Sequence, residues 1–222
     1  MTNLGTKTVI YGQTGIGKTR FVDSLSVSKI IIDLSGNNPN SERVLTLKDF
    51  STSLGSALRS DCELIVIDTL DGLESVIFKD LVKESECKSI EHVDGGYGKG
   101  YTRAKEKWET LLGWINQKII PEGKHVIFTA STDSFDFKNP FGLHYSKFGL
   151  RVNKHAAGVI ESEMDNIFFM THAGLFNPEK EGVVFHTEPS IAYLAKNRGG
   201  LKEGLQVEDF SNEFKSKVLR HK

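Results

Sequence analysis

The sequence predicts an α/β fold in which helices cover both faces of a central parallel β-sheet and antiparallel strands lie at one edge. Continuous apolar runs that end at Gly12, Asp33 and Asp68 are typical of strands buried on both faces of a parallel sheet. Segments with apolar residues at helical spacing separate these runs, as right-handed strand–helix–strand crossovers require. A hairpin-like run at Gly182–Thr187 predicts the antiparallel edge. The length of 222 residues fits one domain over residues 1–222.

In chain order, the apolar pattern predicts strands that alternate with helices. The expected strands are Thr8–Tyr11, Lys29–Asp33, Leu64–Asp68, His125–Ala130, Asn166–Met170, Gly182–Thr187 and Ile191–Ala195. The expected helices are Thr19–Leu25, Lys48–Leu58, Leu70–Leu81, a helix that includes Trp108–Ile115, Lys154–Met164 and Val207–Leu219. Glycine-rich or polar composition predicts three loops: Ser35–Ser41, Asp94–Tyr101 and Ser131–Gly149. The Ser131–Gly149 loop is expected to be long and largely without regular structure.

The composition excludes several classes of function. A formal net charge of −1 is incompatible with a generally basic surface, so contact with nucleic acid requires local patches. No apolar run approaches the ~20 residues that cross a bilayer, and the first strand starts too close to Met1 to leave room for a signal peptide. Cys62 and Cys87 lack metal-ligand spacing and suit a reducing compartment. We therefore expect a cytoplasmic protein without membrane contact.

The segment from Gly12 to Thr19 reads G-x-x-x-x-G-K-T, the pattern of a phosphate-binding P-loop. It lies between a predicted strand and a predicted helix, where glycines allow positive φ and backbone N–H groups converge on an anion. Lys18 supplies a charge for the β- and γ-phosphates, and Thr19 supplies a hydroxyl for Mg²⁺. A nucleotide is therefore expected to contact Gly12, Gln13, Thr14, Gly15, Ile16, Gly17, Lys18, Thr19 and Arg20.

Acidic residues at strand ends are candidates for the metal and water chemistry of phosphoryl transfer. Asp68, at the tip of a buried strand, is predicted to hold Mg²⁺ together with Thr19, and the alternative is that it caps the following helix. Asp33 is the first candidate for the catalytic group that orients the attacking water, although an acid at a strand end also caps or pairs. The other acids nearby are weaker candidates: Glu42 in the following loop, and Asp71 and Glu74 on a helix surface.

Lys196 and Arg198 follow a predicted strand and precede a glycine turn. Side chains alternate along a strand, so two cations with one residue between them project in the same direction. Such a pair could reach the γ-phosphate bound by a neighbouring subunit and stabilise the transition state. The alternative is a pair of solvated cations.

Two segments interleave aromatic residues with cations, as single-stranded nucleic acid requires for stacking and phosphate neutralisation. They are the Ser131–Gly149 loop and the Gly95–Arg103 loop. Aromatic residues of a long loop also fold back onto the core, which is the alternative. The candidate DNA contacts are Tyr97, Lys99, Arg103, Phe137, Lys138, Tyr145 and Lys147.

These features together resemble the phage-encoded RecA-like nucleotide-binding proteins, a family of P-loop ATPases in which some members are described as single-strand annealing proteins. The resemblance implies a RecA-like central sheet, ATP with Mg²⁺, and self-association as a filament or ring. It further implies that Lys196 and Arg198 face the next subunit's nucleotide, and that the protein acts on single-stranded DNA with phage replication or recombination proteins in the host cytoplasm. The segments that carry the resemblance are Gly12–Thr19, Leu64–Asp68, Tyr97–Tyr101, Glu161–Asn166 and Ala195–Gly199.

Two positions depart from that family's pattern. Ser35 stands where such proteins usually carry a glutamate, two residues beyond the acid that ends the second strand. Ser131 stands where a polar sensor, often histidine, follows the fourth strand. A serine has no useful pKa for a base unless another group activates it. We therefore expect slow hydrolysis, or hydrolysis that depends on DNA and on a neighbouring subunit.

Three functions fit the sequence. The first is a DNA-dependent ATPase of recombination, repair or replication, with Lys18, Asp33, Lys196 and Arg198 as its catalytic residues. The second is a nucleotide-switched assembly or helicase-loading factor with little turnover, which the serine at position 35 favours. The third is a small-molecule or nucleotide kinase, which the scarcity of arginines between the strands disfavours.

Overall fold

A computed structural model describes residues 4–36, 43–140 and 142–220. The predicted Ser35–Ser41 loop falls mostly outside these residues, as does Glu42. The strands are β1 Lys7–Gly12, β2 Lys29–Asp33, β3 Leu64–Asp68, β4 His125–Phe137, β5 Tyr145–Leu150, β6 Asn166–His172, β7 Val183–His186, β8 Lys196–Asn197 and β9 Leu205–Gln206. The helices are α1 Lys18–Ser24, α2 Leu47–Arg59, α3 Leu70–Glu84, α4 Lys99–Trp114, α5 Lys154–Glu163 and α6 Val207–Lys217.

The described strands form one sheet whose main order is β2-β3-β4-β1-β6-β7-β9. In this spatial order, the neighbouring strands β2, β3, β4, β1 and β6 run parallel to one another. Beyond them, β7 and β8 pair antiparallel with β6, and β9 pairs antiparallel with β7. This arrangement confirms the predicted mostly parallel sheet with antiparallel strands at one edge. The carboxyl ends of β1, β2 and β3 therefore meet at one edge of the sheet, where α/β proteins bind their ligands.

Hydrophobic cores lie on both faces of the sheet. One buries residues of α2, α3, α4 and α5 against β1, β3 and β4. The other buries an aromatic group from α1, β7 and α6, in which the rings of Phe185 and Phe210 stack with centroids 3.8 Å apart. Because each strand of the central sheet is covered on both sides, the strands read as continuous apolar runs.

The prediction of a structureless Ser131–Gly149 loop is wrong. β4 continues past the core to Phe137 and pairs with β5 as an antiparallel hairpin, with Thr132 opposite Leu150 and Phe137 opposite Tyr145. We call this the β4–β5 hairpin. Aromatic and polar residues alternate at the end of β4, in Phe135-Asp136-Phe137, which is a strand pattern. The segment is nevertheless mostly polar, because a hairpin that extends beyond the core buries little apolar surface. Its composition therefore predicted a loop.

The prediction of a strand over Ile191–Ala195 is also wrong. Only Tyr193 forms a bridge there, to Phe148, and the regular strand β8 starts at Lys196. The Leu194 N–H donates to the Phe148 carbonyl at 3.0 Å and to the Tyr11 hydroxyl at 3.0 Å. The segment is thus held by contacts to Tyr11 and to β5 instead of by regular pairing with a neighbouring strand. Local composition alone could not show this.

Candidate nucleotide-binding site

The P-loop segment connects the end of β1 to the start of α1. Gly17 caps α1 with φ 105° and ψ 20°, a left-handed conformation that strains a residue with a Cβ. Gly12 is required for space, because an added Cβ would lie 2.1 Å from the Met170 carbonyl oxygen of β6. The backbone thus turns sharply from the sheet into the helix and directs the N-terminus of α1 towards the loop.

Lys18 lies across the mouth of this loop. Its buried Nζ donates to the carbonyl oxygens of Gly12 and Gln13, both at 2.9 Å. Burial lowers the pKa of Lys18, and the negative charges of Asp71 and Asp68 oppose that shift. An ammonium group held at this position can exchange carbonyl oxygens for phosphate oxygens, the stronger charge-assisted partners.

The Asp68 carboxylate connects the loop to the sheet. The Thr19 hydroxyl donates to Asp68 Oδ2 at 2.8 Å, and the Thr129 hydroxyl donates to Oδ1. Asp68 is only 1% exposed. A carboxylate and a hydroxyl at hydrogen-bond distance are hard oxygen donors of the kind that Mg²⁺ takes alongside water and phosphate. The donor set therefore fits a magnesium ion, although the described residues contain no cluster of three or more metal-ligating side chains.

Asp33 is fixed in a turn at the end of β2. Its Oδ1 accepts hydrogen bonds from the N–H and the hydroxyl of Ser35, both at 2.8 Å, and from the Gly36 N–H at 2.9 Å. Asp33 is fully buried, and among the described residues the cavity wall contains Ser35 rather than Asp33. This geometry favours the turn-forming alternative over a role in orienting water.

A cavity of about 760 Å³ lies beside the loop. That volume is within the range of small-molecule sites. Besides the P-loop, its wall includes Ser35, Arg43, Asp68, Asp71, Ser131 and Arg151. The expectation that Asp71 lies on a helix surface is therefore wrong. Asp71 is in the first turn of α3, directly beyond the end of β3, and this position at the ligand-binding edge of the sheet was the signal that could have identified it.

Ser131, the position of the expected polar sensor, contacts Asp71. The Ser131 N–H donates to Asp71 Oδ1 at 2.9 Å, and its hydroxyl donates to Oδ2 at 3.2 Å. The fourth strand is thus connected to α3 through a carboxylate that faces the cavity.

Glu74 lies one turn further along α3 and is half-buried, also contrary to the expectation of a surface position. The Asn153 N–H donates to its Oε1 at 2.9 Å and its Oε2 at 3.0 Å. Burial raises the pKa of Glu74 to about 7, the hydrogen bond from Asn153 opposes the shift, and the charge of Asp71 adds to it. A second cavity of about 470 Å³ is lined by Glu74 and shares Asp71 and Arg151 with the first.

The candidate DNA contacts fall in two groups. On the β4–β5 hairpin, Phe137 stacks on Tyr145 with ring centroids 5.0 Å apart, and Lys138 is exposed. Burial raises the pKa of Glu161, while Lys147 on the same hairpin and Lys196 both lower it.

The other group lies around the start of α4. Tyr97 is fully exposed, and the Lys99 Nζ donates to the Asp94 carbonyl oxygen at 3.3 Å. Arg103 forms ion pairs with Glu84 at 3.3 Å and with Asp94 at 3.2 Å. These carboxylates compete with phosphate for Arg103, so the hairpin is the stronger candidate surface.

Lys196 and Arg198 lie away from their own nucleotide cavity, whose described wall contains neither. The Lys196 Nζ donates to the carbonyl oxygens of Glu161 at 3.0 Å and Ser162 at 3.2 Å. Arg198 is 64% exposed at its side chain and forms an ion pair with Asp165 at 3.2 Å. An arginine this exposed is available to a second subunit.

The chain is similar to a known family in sequence and to known structures in fold. A family model described as an AAA domain matches residues 4–199. No curated protein matches the chain. The crystal structure of the RadB recombinase superposes with a TM-score of 0.50 and 14% sequence identity, covering 92% of this chain and 86% of that one. This likeness supports the RecA-like fold of the central sheet. None of the helices within the described ranges has the length and hydrophobicity of a membrane-spanning segment.

Replacing Lys18 with alanine should weaken nucleotide binding roughly 10- to 100-fold, because a charge-assisted contact to phosphate is lost. Titration with a fluorescent ATP analogue measures the effect. Lys29→Ala is the matched control, since its Nζ also donates to carbonyl oxygens, those of Asp23 and Leu25, but outside the cavity. Equal affinities for the Lys18 variant and the wild type would contradict the assignment.

Replacing Glu74 with glutamine should change how stability depends on pH. The folded-state pKa of about 7 exceeds the ordinary 4.5, so the wild type loses stability as pH rises between these values. The melting temperature of Glu74→Gln relative to wild type should therefore increase from about pH 5 to about pH 8. Glu106→Gln, at an exposed position of α4, is the control and should show a constant difference. A constant difference for Glu74→Gln would show that burial does not raise its pKa.

Proposed function

The chain belongs to the AAA domain family, and on that premise we propose that it is a Mg²⁺-dependent ATPase that acts on single-stranded DNA. The observation that carries the proposal is the cavity at the sheet edge, where Lys18, Thr19 and Asp68 converge. A RecA-like fold supports an ATPase of DNA recombination, repair or replication. The motif resemblance supports a role in phage DNA metabolism, within the cytoplasm of the host and with phage replication or recombination proteins as partners.

The P-loop binds the triphosphate of ATP in this proposal. Backbone N–H groups of the loop and the N-terminus of α1 surround the phosphates, and Lys18 contacts the β- and γ-phosphates. Thr19 and Asp68 hold the magnesium ion, which neutralises phosphate charge when bound. Thr129 keeps the Asp68 carboxylate in place through its hydrogen bond. We assign all of these groups to a single domain over residues 1–222.

The β4–β5 hairpin binds single-stranded DNA in this proposal. Its stacked Phe137 and Tyr145 offer a platform to bases. Lys138 follows Phe137 in the chain and Lys147 lies two residues beyond Tyr145, so both supply positive charge for the phosphates. The net charge of −1 supports a local patch of this kind over a generally basic surface.

Hydrolysis requires a second subunit in this proposal. Lys196 and Arg198 lie outside their own cavity and Arg198 is exposed, so a filament or ring can place them against a neighbour's γ-phosphate. An arginine supplied from another subunit stabilises the charge that spreads over the transferring phosphoryl group.

A second function is supported by Ser35 in the cavity wall, since the family that the sequence resembles usually has glutamate at this position. If water is activated poorly, ATP binding rather than turnover controls assembly, as in a helicase-loading factor. This function predicts ATP-dependent self-association with negligible phosphate release in the presence of DNA.

Removing the aromatic platform should weaken DNA binding. Because stacking contributes about 1–3 kcal/mol per base, Phe137→Ala with Tyr145→Ala should raise the Kd for an oligothymidine at least ~5-fold. Fluorescence anisotropy with ATP or ADP present measures it. Phe176→Ala is the control, because Phe176 is an aromatic residue of similar exposure (43% against 49% for Phe137) outside the hairpin. An unchanged Kd for the hairpin variant would rule out this surface.

The contribution of Arg198 is tested by mixing inactive variants. Arg198→Ala alone should lower the DNA-stimulated ATPase rate by about 10³-fold, while leaving ATP affinity near that of the wild type. Mixing it with Lys18→Ala should restore part of the rate, since some interfaces regain both groups. Lys202→Ala, which removes a surface cation paired with Glu213, is the control. Failure of the mixture to recover activity would contradict the arrangement between subunits.

A further inference from the structure

Asp71 is a cavity carboxylate that has no role in phosphate or magnesium binding in the proposed function. It lines the nucleotide cavity together with Lys18, Thr19 and Asp68. Burial lowers the pKa of Lys18, and the charges of Asp71 and Asp68 oppose that shift, so both carboxylates act on the Lys18 ammonium. On the proposed function Lys18 contacts the β- and γ-phosphates, so Asp71 lines the same cavity as the group that faces the terminal phosphate.

The Asp71 carboxylate is held in a fixed orientation and keeps free acceptor capacity. Each of its oxygens accepts one hydrogen bond from Ser131, at 2.9 Å and 3.2 Å. An ionised carboxylate has about four acceptor positions, so both oxygens can still accept from water. A fixed orientation of this kind places a base without further reorganisation during the reaction.

Two other candidates are poorly suited to the role: Asp33, the first candidate from the sequence, and Ser35, which stands where the family that the sequence resembles usually carries glutamate. Asp33 is buried, and one of its oxygens accepts three hydrogen bonds within its own turn. Ser35 faces the cavity but carries a hydroxyl, which is too weak a base at neutral pH. Asp71 is the carboxylate of the described cavity wall that is not already assigned to magnesium.

We propose that Asp71 is the catalytic carboxylate that orients and deprotonates water for attack on ATP, and that Glu74 receives the proton from it. This assignment rests on the proposed ATPase function. Asp71 takes a proton from water as the water oxygen forms a bond to the γ-phosphorus. The bond from that phosphorus to the β–γ bridging oxygen breaks, and its electron pair stays on ADP. The proton then passes from Asp71 to Glu74, and from there to solvent.

Glu74 is suited to take up that proton. It lies one helical turn beyond Asp71, and both line the second cavity. Burial of Glu74 favours its neutral form, so a proton moves to it from Asp71 more readily than to an ordinary surface glutamate. Arg151 lines both cavities and supplies positive charge beside the two carboxylates.

The test compares Asp71→Asn with wild type in the full-length protein with single-stranded DNA present. Loss of a general base should lower kcat about 10²- to 10⁴-fold. Removing a negative charge near the γ-phosphate should also tighten ATP binding relative to ADP, by roughly 3- to 10-fold. Isothermal titration with the slowly hydrolysed analogue ATPγS and with ADP measures the second effect independently of turnover. Asp80→Asn, on the surface of the same helix and paired with Lys107, is the matched control.

Ser131→Ala provides a second variant in case Asp71→Asn does not fold. It removes one hydrogen bond to Asp71 but keeps the backbone donor, so kcat should fall roughly 2- to 10-fold with nucleotide affinity unchanged. Wild-type turnover in Asp71→Asn, or in Ser131→Ala if that variant alone folds, would overturn the assignment. If the wild type itself hydrolyses no ATP, the proposed function fails. In that case an unchanged ATPγS-to-ADP affinity ratio in Asp71→Asn would separately show that Asp71 does not face the γ-phosphate.

Discussion

The hydrogen bonds of the Asp68 carboxylate are the interaction on which the site depends. One oxygen accepts from Thr19 of α1 and the other from Thr129 of β4, so a single buried group ties the P-loop to two strands. A buried carboxylate without partners is costly, and both donors must stay in place for the fold to tolerate it. The same constraint keeps the Thr19 hydroxyl beside Asp68, which is the arrangement that a magnesium ion requires.

The carboxylate of Asp71, three residues beyond Asp68 in the chain, has a similar arrangement. Ser131, two residues beyond Thr129 on β4, binds Asp71 as Thr129 binds Asp68. Thr129 and Ser131 of β4 therefore hold two carboxylates against the same cavity: Asp68, the candidate magnesium ligand, and Asp71, the candidate for orienting water. Ser131 thereby serves as the hydrogen-bond donor that positions Asp71. Ser35 is smaller than the glutamate that the resembled family carries, so it leaves room in the cavity wall for Asp71 to act.

The sequence predicted the parallel sheet and the P-loop because both depend on local patterns: continuous apolar runs, and glycines at fixed spacing. It could not predict contacts between distant segments. Asp71 looked like a surface residue because a helical pattern does not show that the first turn of α3 faces Ser131, 60 positions away in the chain. The β4–β5 hairpin was missed because the part of β4 that forms it is largely exposed, so its pairing leaves little apolar signal. The pairing of Leu194 with Tyr11 likewise depends on tertiary contacts.

The course of β4 connects the nucleotide cavity to the hairpin that the proposed function assigns to DNA. Residues at every second position share a face of a strand, and along β4 these are Thr129, Ser131, Asp133, Phe135 and Phe137. The first two bind Asp68 and Asp71, Asp133 and Phe135 line the adjoining cavity, and Phe137 stacks on Tyr145 at the proposed DNA surface. A base that stacks on Phe137 thus acts on the same continuous strand that orients Asp71. On the proposed function, a shift of the hairpin would reach the Asp71 carboxylate through its two hydrogen bonds from Ser131, at 2.9 Å and 3.2 Å. On the proposed function, DNA binding therefore controls hydrolysis through the orientation of the water, with no requirement for a change in nucleotide affinity.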